Sequence, residues 1–170
     1  MEKDTYLTIS STSEGLFKDK GSRFVSLAFN VKDEQSIKDI LHEVKSKYHD
    51  ARHHCFAYRL GYTGENYRSS DDGEPSGTAG RPILGQLLSK NLTNVLVVVV
   101  RYFGGTKLGV SGLINAYREA TADALNNAVI CEEIIKDFFT IKFNYEAMND
   151  VMKLLKDFDS SIIENNFTDN

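Results

Sequence analysis

The sequence predicts an α+β fold, and three patterns carry that prediction. Short strand-like runs crowd residues 5–30, a fully apolar run occupies 95–100, and apolar residues recur at helical spacing in several segments between and beyond them. Residues 5–10, 14–19 and 22–30 read as three strands of a meander. A Lys20-Gly21 turn joins the last two, and Phe24, Leu27 and Phe29 supply apolar positions along the third. From Asp33 onward, Ile37, Ile40, Leu41, Val44 and Tyr48 fall on one helical face. Asp33 and Ser36 are available as caps, while Lys38, Asp39, Glu43 and Lys45 take the outer face.

Residues 55–60 and the segment around Tyr67 predict paired strands about Gly61-Tyr62-Thr63-Gly64, followed by a polar loop over 69–80. Ile83, Leu84, Leu87 and Leu88 predict a short helix over 81–89, with Pro82 tolerated in its first turn. The run 95–100 has no polar residue, which predicts a central strand covered on both faces. Gly104, Gly105, Gly109 and Gly112 then lead to a helix over 113–128, where Leu113, Ala116, Tyr117, Ala120 and Ala124 leave room for close packing. The tail reads as one β-α-β unit, with strands over 137–143 and 160–167 and a helix over 145–158 that turns Met148, Val151, Met152 and Leu155 inward. Two strands and a helix bury little alone, so the tail is expected to dock on the first domain or on a partner. The expected division is a domain over 1–130 and a smaller part over 131–170.

Composition narrows the classes. With 170 residues, 41% of them hydrophobic, and two Cys, the chain supports one compact core and excludes a disulfide scaffold, a collagen and a disordered chain. Its longest apolar run falls far short of the roughly 20 residues that cross a bilayer, so no membrane partner is expected. The first residues lack a basic segment followed by an apolar one, which makes a cytoplasmic location with reduced Cys55 and Cys131 the expectation. The net charge of -4 hides an asymmetry: residues 51–118 hold eight Lys+Arg against four Asp+Glu, a balance of +4, and the rest carries -8. Six of the seven Arg lie in that middle stretch, and Arg suits phosphate and carboxylate groups. Either an anion-binding face or a set of scattered, solvated Arg accounts for them.

Three stretches carry candidate chemistry. The first runs from the apolar strand through Arg101, Gly104, Gly105, Lys107 and Gly109 to Gly112. Glycines let the backbone approach a ligand, and the following helix N-terminus favours an anion, with Arg101 and Lys107 supplying charge. The spacing is neither a Walker A loop nor G-x-G-x-x-G, and tight turns with close packing are the alternative. The second stretch, Ser69 to Gly80, holds Asp71, Asp72 and Glu74 among hydroxyls and glycines. It can ligate a hard cation, close its own turns, or pair its carboxylates with Arg81 or Arg101; the last is preferred over a metal site. In the third, Arg52-His53-His54-Cys55, period two puts His53 and Cys55 on one face and His54 on the other. A Cys nucleophile is weighed there against a buried Cys acting as a small hydrophobe, which is the commoner case.

Together the motifs Ala51-x-His53-His54-Cys55-Phe56-Ala57, Asp71-Asp72-Gly73-Glu74-Pro75-Ser76-Gly77-Thr78-Ala79-Gly80-Arg81-Pro82-Ile83 and Val99-Val100-Arg101-Tyr102-Phe103-Gly104-Gly105-x-Lys107-Leu108-Gly109 resemble the IMPACT family in its bacterial YigZ-like branch. The likeness runs from about Leu16 to Ala128. It implies a ribosomal protein S5 domain 2-like domain, a four-stranded sheet with helices on one face. A ferredoxin-like C-terminal domain is implied too, of which the tail here supplies only one half. Eukaryotic relatives act in translational control through a further N-terminal domain, so their partner interaction is not carried over.

The function expected is a non-catalytic, translation-linked regulator that binds RNA or the ribosome with no cofactor and no metal. The residues proposed for phosphate or nucleic acid are Arg81, Arg101, Gly104, Gly105, Lys107, Gly109, Gly112 and Arg118, supported by His53, Asp71, Asp72 and Glu74. The competing expectation is an enzyme acting on a phosphorylated small molecule, with Asp72 or Glu74 as base, or on a peptide. The proline dipeptidase label sometimes attached to the family finds no His-Glu-x-x-His in the sequence. A homodimer through the C-terminal part is the third expectation.

Overall fold

The computed structural model describes residues 4–167. Among the described residues, seven strands and four α-helices follow in the order β1 Thr5–Ile9, β2 Ser13–Asp19, β3 Ser22–Asn30, α1 Glu34–Lys47, β4 His53–Leu60, β5 Asn66–Ser70, α2 Gly80–Ser89, β6 Val95–Tyr102, α3 Gly109–Asn126, β7 Ile130–Ile134 and α4 Met148–Asp157. The chain divides into two units, one ending at Ile135 and the other beginning at Lys136.

In the first unit a five-stranded antiparallel sheet has the order β2-β3-β6-β4-β5. The apolar strand β6 lies at its centre, and each residue from Val95 to Val100 is 0% exposed. Val95, Val97 and Val99 join Phe24, Ala28, Cys55 and Ala57 beneath Ile83 and Leu87 of α2 and Leu113, Ala116, Tyr117, Ala120 and Ala124 of α3. Leu96, Val98 and Val100 point the other way, with Leu27, Tyr58 and Leu60, onto Ile37 and Val44 of α1. Helices therefore cover both faces, and the four-stranded sheet with helices on one face is corrected on both counts. A strand apolar at every position exposes a row of Val to water unless both sides are covered. The fifth strand forms because Gly61 and Gly64, at φ +79° and +67°, turn β4 back onto β5.

β1 leaves the expected meander and pairs antiparallel with β7 in a separate two-stranded sheet. The sequence reading places 131–134 in the tail and assigns them no strand. They join the first unit instead, as Glu132 and Glu133 accept hydrogen bonds from the Thr5 and Tyr6 hydroxyls of β1. Two adjacent Glu do not read as strand, and only the partner strand explains them.

In the second unit α4 forms, preceded by a 3-10 turn over Tyr145–Ala147 that Asn144 caps. Neither tail strand does: 136–143 and 160–167 carry no ladder. The two strands of a split β-α-β lie apart, with another strand between them. No such strand is present among the described residues, so these segments have nothing to bond. No described helix is long and apolar enough to cross a membrane.

Candidate functional site

Antiparallel register brings the three motifs to one end of the large sheet. Asp19 pairs with Ser22, Arg23 with Tyr102, His53 with Arg101 and Phe56 with Ser70, so the turns and loops beyond these residues leave the same edge. The loop over 71–79 leads from there into α2, and the loop over 103–108 leads into α3.

The first loop is closed by its own carboxylates. Asp71 Oδ1 accepts from the backbone N–H groups of Gly80 at 2.8 Å and Ala79 at 3.1 Å, and Oδ2 accepts from Gly77 at 2.9 Å. The Ala79 and Gly80 donors are among those that a helix start leaves unpaired, so Asp71 caps α2 from eight residues upstream of Ala79, while its bond to Gly77 closes the loop. Burial acts to raise the Asp71 carboxyl, but the three N–H donors and Arg81 outweigh it and hold the group below the usual carboxylate range. Asp72, at φ +40°, ties the loop to β4 and α1. Its Oδ2 accepts from His54 N–H at 2.7 Å, its carbonyl bonds His53 Nδ1 at 2.8 Å, and Lys45 stands 3.7 Å from Oδ1.

Glu74 turns inward. Its Oε1 accepts from Arg101 Nη1 at 2.6 Å and from the Tyr117 hydroxyl at 2.7 Å. The side chains of Arg101 and Glu74 are 8% and 4% exposed. The expected pairing of a loop carboxylate with Arg101 thus exists, but it lies in the core between sheet and α3 and does not present Arg101 as a free cation. Tyr117 is held protonated by burial, reinforced by Cys55 and Glu74, which keeps it a donor to Glu74. Cys55 Sγ lies 3.0 Å from the Asp71 carbonyl and 3.3 Å from the Tyr117 hydroxyl, and burial pushes its thiol up to about 12. A thiol so protonated at neutral pH is no nucleophile. Glu74, buried and already accepting from Arg101 and Tyr117, is ill-placed to take a proton from a substrate.

The second loop stays open. Gly104 alone is packed: its N–H bonds Ser22 Oγ at 3.1 Å, and a Cβ there would lie 1.9 Å from the Gly21 backbone carbon at the β2–β3 turn. At that glycine the absence of a side chain lets the loop pack on the β2–β3 turn. Gly105 and Gly109, at φ +90° and +75°, have nothing within 4 Å of a Cβ position. Lys107 is exposed and forms no ion pair among the described residues. Leu108 cannot cap α3, and among the described residues no other side chain accepts from its first N–H groups as Asp71 does for α2.

Arg81 is exposed on the first turn of α2, whereas Gly112 in the first turn of α3 packs on Leu108, the residue just before that helix. Arg118, half exposed, bonds Asn115 Oδ1 at 2.7 Å. It stands nine residues beyond Gly109, about 13 Å along the axis, outside the loop cluster. Arg59, part of the positive stretch, is also withdrawn, donating to the carbonyls of Leu92, Gly64 and Thr63. Sequence reasoning treats Tyr117 as packing alone, since helical spacing does not show what its hydroxyl reaches. It also passes over Phe103, which is exposed beside the open loop. No group of three or more His, Cys, Asp or Glu side chains is disposed to hold a metal ion among the described residues.

Comparison with known proteins follows the same segments. Residues 20–125 match the Impact N-terminal domain. The IMPACT family member YvyE of Bacillus subtilis is 31% identical over 166 residues, covering 98% of this chain and 76% of that protein. The IMPACT family member YigZ of Escherichia coli is 33% identical over 150 residues, covering 87% and 74%. A crystal structure described as that of a hypothetical protein superposes with TM-score 0.84 at 30% identity, covering 98% of this chain and 82% of the other.

Proposed function

The chain belongs to the IMPACT family, and from that premise we propose that it is a non-catalytic, translation-linked module that binds RNA, free or in the ribosome, through the open loop ahead of α3. The observation that carries this reading is the uncapped start of α3 beside exposed Lys107, Gly105 and Gly109. Backbone N–H groups, a helix dipole and an exposed ammonium are what a phosphate oxygen needs, and no side chain among the described residues accepts from that helix start. Arg81 on the first turn of the neighbouring helix adds a second exposed cation at the same end of the sheet. The translation link rests on the family resemblance, and the S5 domain 2-like fold that it implies recurs in proteins that contact RNA. A cytoplasmic location belongs to the same proposal.

Co-sedimentation with ribosomes and with structured RNA at low and moderate salt tests it, using Lys107→Glu and Arg81→Glu. Arg101→Glu is the wrong probe, because it would set two carboxylates together in the core. The expected result is salt-sensitive binding that both variants weaken without loss of fold. Binding indifferent to salt and to both substitutions would overturn the reading.

The second unit supports a homotypic contact as well. Phe138, Phe139, Tyr145, Phe158, Ile163 and Phe167 are all more than 70% exposed, and neither 136–143 nor 160–167 pairs in a strand ladder among the described residues. A dimer mass by sedimentation equilibrium, reduced to a monomer by Phe139→Ser with Phe158→Ser, is the expected outcome.

A further inference from the structure

Arg101 does more than neutralise Glu74. Its guanidinium carbon lies 5.5 Å from the centroid of Phe24 and 5.7 Å from that of Phe103, placing the cation against both rings. Phe24 is fully buried and held in turn by the edge of Tyr117, at 5.1 Å and 83°. The guanidinium is anchored by the 2.6 Å bond to Glu74, and its buried Nε has no hydrogen-bond partner among the described residues. Phe103 is the outermost member of this series and is 57% exposed. It is the one exposed phenylalanine among the described residues of the first unit.

A single exposed phenyl ring is ordinary on a protein surface, but this one is backed by a fixed cation on a central strand, which holds its ring beside the open loop. The open glycines and Lys107 follow it within six residues, and the β2–β3 turn, with Lys20 beside Gly21, packs against Gly104. A flat apolar face next to a phosphate-accepting loop matches one nucleotide whose base is unpaired. Duplex RNA keeps its base faces stacked on one another and cannot offer one to a phenyl ring.

We propose that Phe103 is a stacking platform for an unpaired base, so that the nucleic acid taken by this face is single-stranded RNA, its adjacent phosphate lying on Gly105 to Gly109 with Lys107 and Lys20 beside it. This rests on the function proposed above and narrows its ligand. The base extends the series Phe24, Arg101, Phe103 by one layer and is read by its π-face, so binding tolerates sequence. Backbone contacts supply the salt dependence, and the ring supplies the preference for unpaired strands.

The test is fluorescence anisotropy of the full chain with a labelled oligouridine of about a dozen nucleotides and with an RNA duplex of the same length, across a salt series. The wild type is expected to favour the single strand. Phe103→Ala is expected to weaken oligouridine binding by about tenfold or more, the size of effect that removing a stacking aromatic has, with an unchanged salt slope. Phe103→Trp should retain it, and Lys107→Glu should lower the slope by about one. Phe103→Ala binding oligouridine like the wild type, while Lys107→Glu loses it, would overturn the platform and leave the RNA-binding reading standing. Equal affinity of the wild type for duplex and single strand would do the same. A wild type that binds neither probe nor ribosomes overturns both.

Discussion

The loops ahead of α2 and α3 start from the same end of one sheet, and both lead into helices, yet they end in opposite states. Ahead of α2, Asp71 takes three backbone N–H groups, Asp72 clasps β4, and Glu74 dives inward to Arg101 and Tyr117. Ahead of α3, no side chain among the described residues caps the helix, two positive-φ glycines face open space, and Lys107 stands exposed. An acid-rich loop satisfies a helix start from within, whereas a glycine-rich loop with one Lys leaves it to be satisfied from outside. Polar residues in a motif are thus no guide by themselves to where a ligand sits: the loop with more of them is the one that has used them up.

That contrast breaks if substitutions in the closed loop change binding rather than stability, or the reverse in the open one. The largest expected effect is Arg101→Met, which leaves Glu74 buried without its counter-charge and should cost about 3–5 kcal/mol in urea unfolding. Adding Glu74→Gln should recover a good part, giving a strong coupling in the double-mutant cycle. Gly104→Ala comes next. A Cβ there meets the Gly21 backbone, and about 1–3 kcal/mol of destabilisation is expected, although this residue sits in the otherwise open loop.

Asp71→Ala should cost about 1–2 kcal/mol by uncapping α2, and its pH dependence sharpens the point. Because the folded carboxyl titrates below its unfolded value of about 3.9, its contribution is complete above that value and lost as pH falls through the lower folded one. The stability gap between wild type and Asp71→Ala should therefore be flat at neutral pH and close in acid. The smallest effect on stability, within about 0.5 kcal/mol, belongs to Lys107→Glu, the same substitution that should weaken RNA binding. A well-folded Lys107→Glu variant with intact binding would remove the difference between the loops.

How far the sequence reaches can be judged residue by residue. Strands β2 to β6 and helices α1 to α3 were legible because alternation, helical spacing, the Asp33 cap and turn glycines are local, and α1 begins where Asp33 accepts from the Ser36 N–H. The all-apolar run 95–100 also foretold a strand covered on both faces, more accurately than the fold implied by resemblance. What local pattern misses is pairing. β1 reads like the first strand of a meander but finds β7, while the tail segments over 137–143 and 160–167 have strand composition and no strand beside them.

The site divides along the same line. That His53, Asp71 to Gly80 and Arg101 to Gly109 form one locality was suggested by motifs, and the register of five antiparallel strands brings it about. Sequence alone determined which residue types are available: carboxylates ahead of α2, glycines and a lysine ahead of α3, Arg in the middle of the chain. Only the tertiary structure decided which of them are spent. Arg101 and Arg118 look alike in a sequence, but strand parity turns one onto Glu74 in the core, while helix rotation turns the other to solvent beyond the cluster. Burial and partner choice depend on residues far apart in the chain, and those distances are set by the fold.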